Sequence, residues 1–437
     1  MTRHPIRHGI FTFAIASLLT ACGGGTSSSD STAYTLGGTV NGLTTSGLVL
    51  ANSTSTQAVA SGATSFTFSD QMSGDYAVTV ATQPDGQTCV ATHASGSGGS
   101  AVTSVVVNCR SYAAFTSNLA GMGLAQFGVG SIGALVAQSP ATLATSYSPS
   151  SLSTSADGKF AYVSFLDSSA IGIYTVSSTT GALTAFGSGT AQSAGYGLAI
   201  SPNSKYLYVS NYGDASVSQF TIGSSGTLTA MSTASVAAGV NPYGVAVSPD
   251  GLYVYVANSS GNTISQYAVG STGALAALTP ASVSVTGSGT GPVNLAIDPS
   301  SKYVYVTLAN SAKLAQFSIG TGGVLTSLSP TSVSTGTTPH AVVVGPGGRY
   351  VYVTNAGDNT VSQYSISSGK LTALPSATVT TGTNPRGIST SPSGSYVYVT
   401  NYSDATVSSY SVGSSGALTA VGTASTNGAG PTTVSVR

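Results

Sequence analysis

The stretch GVAVSPDGLYVYVANSSGNTISQY, residues 244–267, contains the pattern that decides the fold of this 437-residue chain. Tyr253-Val-Tyr-Val256 alternates side chains at the period of a β-strand. The turn formers Ser248-Pro-Asp-Gly251 and Ser259-Ser-Gly-Asn262 bound that strand on either side. The stretch therefore predicts short strands joined by tight turns.

This pattern occurs seven times along the chain. An aromatic residue ends the third strand of each copy, and successive copies are 46 to 50 residues apart, at Phe127, Tyr174, Phe220, Tyr267, Phe317, Tyr364 and Tyr410. Each copy then continues into a Gly-x-Leu turn, such as Gly273-Ala-Leu275, and a fourth strand. Seven four-stranded repeats of about this length predict an all-β fold, a seven-bladed β-propeller. A solenoid of stacked strands is the alternative, although its repeats are usually shorter.

The two ends of the repeat region predict how the propeller closes. The first repeat begins near Tyr112 and lacks an innermost strand, whereas the chain ends in Gly430-Pro-Thr-Thr-Val-Ser-Val-Arg437. That ending matches the inner-strand segment Asn384-Pro-Arg-Gly-Ile-Ser-Thr390. We therefore expect the carboxy terminus to complete the first blade and to remove the exposed strand edges.

The repeated motifs also resemble a known family. Tyr352-Val-Thr-Asn355 and Tyr398-Val-Thr-Asn401, with the Ser-Pro-Asp-Gly and Gly-x-Leu turns, resemble YVTN-type propellers and the lactonase family of seven-bladed propellers. This family includes 6-phosphogluconolactonase-like and muconate-cycloisomerase-like enzymes. The resemblance covers about Ser111 to Arg437 and implies the propeller fold, with lactone hydrolysis as the activity. The chain has no Glu, so no catalytic set of the family can be transferred to it.

Composition limits the partners. Only 5% of the residues are charged, the formal net charge is +0, and the Lys and Arg residues are scattered. Without a basic patch, nucleic acid is not an expected partner. No apolar run reaches the length of about 18 residues that a membrane-spanning helix needs. We expect a monomer with no cofactor and no metal site.

The amino terminus has the features of an export signal. Arg3 and Arg7 precede an apolar segment at residues 9–19, and the segment ends in Leu19-Thr-Ala-Cys22, which resembles the lipobox of bacterial lipoproteins. That resemblance implies a signal peptide at residues 1–21, lipidation of Cys22 and a flexible tether at residues 22–33. An ordinary secretory leader with a chance cysteine is the alternative. The resemblance further implies a lipid-anchored envelope protein, at the outer membrane because Gly23 follows the cysteine, with the anchor as its only membrane contact.

Residues 34–110 form a separate unit. Short strand-like runs alternate with turn formers such as Asn41-Gly42, which predicts a small β-sandwich that loosely resembles immunoglobulin-like modules of exported proteins. Because Cys22 is assigned to lipidation, Cys89 and Cys109 remain as a pair. In an exported small domain such a pair predicts a disulfide, with two free buried thiols as the alternative.

A candidate site follows from aligning the repeats. The residue after the Pro that begins each inner strand, or after its equivalent Gly195 in the third repeat, should ring one mouth of the central channel. Across the seven repeats this residue is Ser150, Tyr196, Tyr243, Val293, His340, Arg386 and Thr432. His340 is the only His of the propeller, and it can act as a base, while Arg386 in the next repeat can stabilise an oxyanion. We take these two as candidate catalytic residues, with solvated loop residues as the alternative.

The candidate ligand-binding residues lie near the same mouth. They are Tyr196, Tyr243, Asn294, Asn355 and Asn401. Asn at the end of the second strand has an alternative role, which is to satisfy the backbone of the adjoining turn. Asp214, Asp358 and Asp404 occupy equivalent hairpins and are expected to be turn formers.

These features support two functions. The first is a binding or interaction module of the cell envelope, which takes a small molecule, a glycan or a protein at the propeller mouth. The second is a lactonase that uses His340 and Arg386. Export and the scarcity of Lys and Arg argue against a sugar-phosphate substrate. The binding module is our first expectation, and the lactonase is the alternative.

Lipidation is tested by labelling cells with a fatty-acid probe. Wild-type protein should take up the label, and Cys22→Ala should abolish it, because only the cysteine of the lipobox is acylated. Equal labelling of both proteins would contradict the lipoprotein interpretation.

Overall fold

The structure is a computed structural model that describes residues 33–437 except Thr54, Asp85 and Ser131. The expected signal peptide and Cys22 lie outside the described residues. The described chain is all-β and forms a small amino-terminal domain and a propeller. Among the described residues there is no helix with the length and apolarity to cross a membrane.

The amino-terminal domain consists of two four-stranded sheets around one hydrophobic core. Its strands are β1 (Leu36–Asn41), β2 (Leu48–Asn52), β3 (Ser55–Val59), β4 (Ser65–Thr67), β5 (Asp75–Thr82), β6 (Gln87–Thr92), β7 (Ser95–Ser97) and β8 (Val102–Ser111). The sheet orders are β4-β1-β8-β6 and β3-β2-β5-β7. Leu36 and Leu50, one from each sheet, are fully buried in the shared core. The likeness to immunoglobulin-like modules stays a prediction.

The predicted disulfide is confirmed. Cys89 on β6 and Cys109 on β8 are directly paired across the two antiparallel strands and are joined by an S–S bond. In the chain-entropy description, closing a loop of this size stabilises the fold by about 3 kcal/mol.

The propeller has seven four-stranded antiparallel blades, as the repeats predict. Blade 1 contains β9 (Ala113–Asn118), β10 (Gly123–Val129), β11 (Leu135–Ala144) and the final strand, β36 (Pro431–Val436). Blade 2 contains β12 (Pro149–Thr154), β13 (Phe160–Phe165), β14 (Ala170–Val176) and β15 (Leu183–Thr190). Blade 3 contains β16 (Gly195–Ile200), β17 (Tyr206–Asn211), β18 (Ser216–Ile222) and β19 (Leu228–Ala237).

The remaining blades repeat this arrangement. Blade 4 contains β20 (Pro242–Val247), β21 (Tyr253–Asn258), β22 (Thr263–Val269) and β23 (Leu275–Ser284). Blade 5 contains β24 (Pro292–Ile297), β25 (Tyr303–Leu308), β26 (Lys313–Ile319) and β27 (Leu325–Ser334). Blade 6 contains β28 (Pro339–Val344), β29 (Tyr350–Asn355), β30 (Thr360–Ser367) and β31 (Lys370–Thr380). Blade 7 contains β32 (Pro385–Thr390), β33 (Tyr396–Asn401), β34 (Thr406–Val412) and β35 (Leu418–Ser425).

The carboxy-terminal strand closes the ring. β36 pairs antiparallel with β9, so that the order in blade 1 is β11-β10-β9-β36. It also packs between the inner strands of blades 7 and 2. The first and last segments of the propeller are therefore held in one sheet, and the inner edge of blade 1 is covered.

A buried tyrosine on the second strand links most blades to the next one. The Tyr255 hydroxyl of blade 4 donates to the Gly323 carbonyl of blade 5 at 2.6 Å. Tyr162, Tyr208, Tyr305 and Tyr352 make the equivalent bond. The Gly of the Gly-x-Leu turn is needed there, because Gly323 has a φ of 84° and a Cβ on it would meet Tyr253.

A buried glutamine on the third strand makes a second link. The Gln266 side-chain oxygen accepts a bond from the Leu325 N–H of the next blade at 2.7 Å. Gln126, Gln219, Gln316 and Gln363 do the same for Leu183, Leu275, Leu371 and Leu418. Each glutamine therefore satisfies a backbone donor that the neighbouring blade buries.

The contact between blades 7 and 1 lacks both links. At the tyrosine position of blade 7, the buried Tyr398 hydroxyl has no hydrogen-bond partner among the described residues. At the glutamine position, Ser409 replaces Gln. This seam is therefore held by packing and by the strand exchange of β36 rather than by the repeated side-chain bonds.

The seam predicts opposite results for two similar substitutions. Tyr255→Phe should lower the free energy of unfolding by about 1 kcal/mol, because it removes a buried hydrogen bond and leaves the Gly323 carbonyl unpaired. Tyr398→Phe should leave stability unchanged or raise it slightly, since its hydroxyl forms no bond with any residue that the structure describes. Urea titrations of both variants measure the free energy of unfolding. Equal losses of stability in the two variants would contradict the absence of the tyrosine bond between blades 7 and 1.

Candidate functional site

One face of the propeller, here called the mouth face, contains the connections into the inner strands and the hairpins between second and third strands. A cavity of about 160 Å³ lies there, at the entrance of the channel. All seven inner strands contribute to its wall, through residues that include Ser150, Tyr196, Tyr243, Asn294, His340 and Thr432. The amino-terminal domain contacts the opposite face, where the Arg110 guanidinium donates to the Asp157 carbonyl at 2.9 Å.

Hydroxyl groups of one blade fix the mouth residues of the next. The Ser210 hydroxyl donates to the Tyr243 carbonyl at 2.5 Å and the Thr307 hydroxyl donates to the His340 carbonyl at 3.0 Å. Thr354 makes the same bond to the Arg386 carbonyl at 2.8 Å. The Ser or Thr that precedes the last residue of the second strand thus fixes the backbone of the mouth residue in the next blade.

Three side chains form a hydrogen-bonded row across the cavity. The Tyr243 hydroxyl donates to the Tyr196 hydroxyl at 2.5 Å and lies 3.0 Å from Nε2 of His340. The Tyr196 and Tyr243 rings are in close contact, with centroids 3.7 Å apart and planes inclined by 39°. Because Tyr243 belongs to blade 4 and His340 to blade 6, the row orients the imidazole from across blade 5.

The buried position keeps His340 neutral. Burial of the ring, reinforced by the charge of Arg386, lowers the pKa of His340 to about 4. Burial also raises the pKa of Tyr243 well above its ordinary value and raises that of Tyr196. Near neutral pH the row therefore consists of two protonated phenols and an imidazole with one free lone pair. Nδ1 of His340 is buried and forms no hydrogen bond of good geometry among the described residues, although a backbone group of Arg386 lies close enough to the ring to oppose part of the lowering of its pKa.

Arg386 supplies positive charge beside this row. Its guanidinium carbon lies 3.7 Å from the centre of the Tyr402 ring, which holds it by a cation–π contact. The ion pair found within the described residues is that of Lys159 with Asp157 on the opposite face, so no carboxylate neutralises Arg386 there. An unpaired guanidinium next to a neutral imidazole is suited to bind a carbonyl oxygen that gains negative charge.

The other candidate residues have different positions. Asn294 lines the cavity, whereas its neighbour Val293 is buried. Asn355 and Asn401 do not line the cavity, because they are fully buried and their side chains accept from Gly336 N–H and Gly382 N–H. The structure thus gives both Asn residues the turn-bonding role instead of the ligand-binding one.

The aspartates of the mouth face are turn formers. Asp358 accepts a hydrogen bond from the Thr337 hydroxyl and another, at 2.7 Å, from the Thr337 N–H. These two bonds lower the pKa of the Asp358 carboxyl. Asp404 accepts from the Thr383 N–H at 2.6 Å. In the described part of the chain, His, Cys and Asp residues do not gather in a group of three that could hold a metal ion.

Two mouth residues escaped the sequence analysis. Tyr402 and Tyr212 directly follow the strand-ending Asn401 and Asn211. At this position blades 4 to 6 have Ser259, Ala309 and Ala356, and blades 1 and 2 have Leu119 and Leu166. Tyr212 packs beside Tyr196 with ring centroids 5.7 Å apart. An aromatic residue at a position that is small or aliphatic in the other repeats was the available signal.

The comparison with protein families identifies the fold class. The model of the family described as lactonase, 7-bladed β-propeller, matches residues 187–286 and 272–436. The chain therefore belongs to the lactonase family of seven-bladed propellers. No curated protein matches its sequence significantly.

Solved structures show the same fold at low identity. The periplasmic gluconolactonase of Pseudomonas aeruginosa matches with a TM-score of 0.64 and 20% identity, over 74% of this chain and 98% of its own. A candidate 6-phosphogluconolactonase from Bacteroides fragilis matches with a TM-score of 0.63 and 20% identity, over 75% of this chain and 98% of its own. A protein from Lactobacillus plantarum matches with a TM-score of 0.64 and 20% identity, over 75% of this chain and 99% of its own.

The lowered pKa of His340 predicts acid sensitivity. A histidine whose pKa is lowered by folding contributes stability that is present above its unfolded pKa of 6.5 and is lost as the pH falls toward 4. The lowering of the pKa from 6.5 to about 4 corresponds to a loss of about 3 kcal/mol in the free energy of unfolding at acid pH. Thermal unfolding between pH 7 and 4 should show a smaller loss for His340→Gln than for the wild type. His93→Gln, at an exposed histidine of the amino-terminal domain, is the matched control and should behave as the wild type does.

Proposed function

We propose that the protein is a lactonase whose site is the cavity at the mouth of the channel. The observation that carries the proposal is a neutral, oriented His340 in the wall of the cavity, with the charge of the unneutralised Arg386 of the next blade acting on it. Membership of the lactonase family supports the proposal. The names of the gluconolactonase and of the candidate 6-phosphogluconolactonase point in the same direction.

The chemistry uses water as the nucleophile. In the proposed reaction the side chains around His340 open enough for a water molecule to reach the imidazole lone pair. The imidazole then accepts a proton from that water as the water oxygen bonds to the lactone carbonyl carbon. The carbonyl oxygen becomes an oxyanion, which Arg386 stabilises. The ring C–O bond then breaks, the imidazolium returns the proton to the leaving oxygen, and the product is the open hydroxy acid.

The row of tyrosines has a supporting part in this reaction. Tyr243 fixes the plane of the His340 ring through its contact with Nε2, and Tyr196 fixes Tyr243 in turn. Both phenols stay protonated because burial raises their pKa values. They therefore act as positioning residues and do not compete with His340 for a proton.

The envelope location belongs to the same proposal. Lipidation of Cys22 would tether the protein, most simply at the outer membrane. The amino-terminal domain contacts the face of the propeller opposite the mouth. The mouth is therefore left open for a substrate.

Hydrolysis is tested with purified protein and a panel of sugar and simple lactones. His340→Ala and Arg386→Ala should each lower kcat/KM by about 10²-fold or more, because they remove the base and the oxyanion donor. Activity should also fall as the pH drops through about 4, where His340 takes up a proton. Arg386→Ala should move this acid limb to higher pH, since the Arg386 charge helps to lower the pKa of His340.

The matched control is Arg349→Ala, at an exposed arginine on the opposite face, and it should leave turnover unchanged. Hydrolysis that survives both mouth substitutions would contradict the proposed site. If the wild type binds lactones without opening them, the mouth is a binding module, which is the other function that the sequence supports.

A further inference from the structure

The rim of the mouth differs between its two halves. Five large apolar side chains are exposed in the mouth-face connections of blades 1 to 4, namely Met122, Tyr147, Leu166, Tyr212 and Val240. From Tyr253 to Arg437, all of which the structure describes, no large apolar side chain is exposed to a comparable degree. The corresponding connections of blades 5 to 7 instead expose Asn310, Lys313, Asp358, Asn359 and Asp404.

The apolar half of the rim is continuous with the cavity. The Tyr212 ring lies 5.7 Å from that of Tyr196 and 6.4 Å from that of Tyr243, both of which line the cavity. The connection that contains Val240 is joined to Tyr212, because the Asn241 side chain donates to the Tyr212 carbonyl at 3.2 Å. The apolar surface thus begins at the tyrosine row and extends outward.

Blade 2 adds an exposed apolar patch to the same half of the rim. The Leu166 N–H donates to the Ser148 carbonyl at 2.9 Å, which ties the Leu166 hairpin to the connection that contains Tyr147. The Tyr147 ring lies 5.7 Å from that of Phe165. Tyr147 is 42% exposed and Leu166 is 38% exposed, so both present apolar surface to a ligand.

The charges of the mouth face disfavour a phosphate. Arg386 and Lys313 are its cations, and Asp167, Asp214, Asp358 and Asp404 stand in the same set of hairpins. Acidic residues occur on both halves, whereas exposed apolar residues occur on one. A phosphorylated ligand needs several cations to bind its oxyanions, and this face offers a net negative surface instead.

We infer that the substrate is an uncharged lactone with an apolar substituent. The ring binds between His340 and Arg386, and the substituent lies along the apolar half of the rim, from Tyr212 toward Leu166 and Val240. This inference rests on the proposed function for its lactone ring. Beyond the proposed function, we infer that the substrate has an apolar substituent and no phosphate.

The test uses γ-lactones with unbranched alkyl chains from none up to about six carbons, with glucono-δ-lactone as the polar comparison. The value of kcat/KM should rise about 2- to 4-fold for each added methylene, as burial of a methylene on an apolar surface predicts. Calorimetric binding of γ-lactams with the same chains gives a second readout, because the enzyme need not open a lactam for it to bind.

The variants separate the rim from the catalytic groups. The double variant Leu166→Ala/Val240→Ala should flatten the dependence on chain length while still hydrolysing the unsubstituted lactone. Phe186→Ala, at an exposed aromatic residue on the outer strand of blade 2, is the matched control and should keep the full dependence.

The outcomes are distinguishable. Lactones that are opened equally well whatever their chain length, or a phosphorylated lactone that is preferred, would overturn the inference and leave the proposed lactonase standing. Lactams that bind more tightly with each methylene, without hydrolysis of any lactone, would support the apolar rim and overturn the lactonase. Neither binding nor hydrolysis would overturn both.

Discussion

The buried hydrogen bond from the second-strand tyrosine of one blade to the turn carbonyl of the next is the interaction on which the structure depends. Tyr208 and Tyr255 illustrate it, with hydroxyls 2.7 and 2.6 Å from the Gly273 and Gly323 carbonyls. The bond fixes the distance and the angle between neighbouring blades at a point where both are fully packed. Because the angle between blades sets how many fit in a ring, this contact and the packing around it determine that seven blades close.

The same inter-blade geometry builds the mouth. The Ser or Thr two residues after the linking tyrosine, such as Ser210, holds the carbonyl of the mouth residue in the next blade. The position of each mouth residue is thereby set by the scaffold, whereas its side chain is free to differ. That division lets Tyr196, Tyr243, His340 and Arg386 occupy equivalent positions and still act differently.

Much of this architecture could be predicted from the sequence. The seven repeats, the four strands of each blade, the closure by β36 and the ring of mouth positions follow from periodicity, because backbone pattern repeats with the blade. The contact of Tyr243 with His340 could not be predicted from the sequence. It joins blades that are not neighbours and depends on side-chain length across the channel. The stacking of Arg386 on Tyr402 lies within blade 7, and it could not be predicted because both residues differ from their counterparts in the other repeats. The Asn positions are periodic, yet periodicity alone did not separate a turn-bonding Asn355 from a ligand-binding one.

The central claim is that the cavity beside His340 and Arg386 is where a lactone is opened. A crystal structure of the protein with a bound δ-lactam, which resembles the substrate but resists hydrolysis, tests this claim most directly. The account predicts the lactam ring in the cavity, with its carbonyl oxygen about 3 Å from the Arg386 guanidinium and its carbonyl carbon facing His340. A lactam bound at the opposite face of the propeller or on the amino-terminal domain, with the cavity unoccupied, would contradict it.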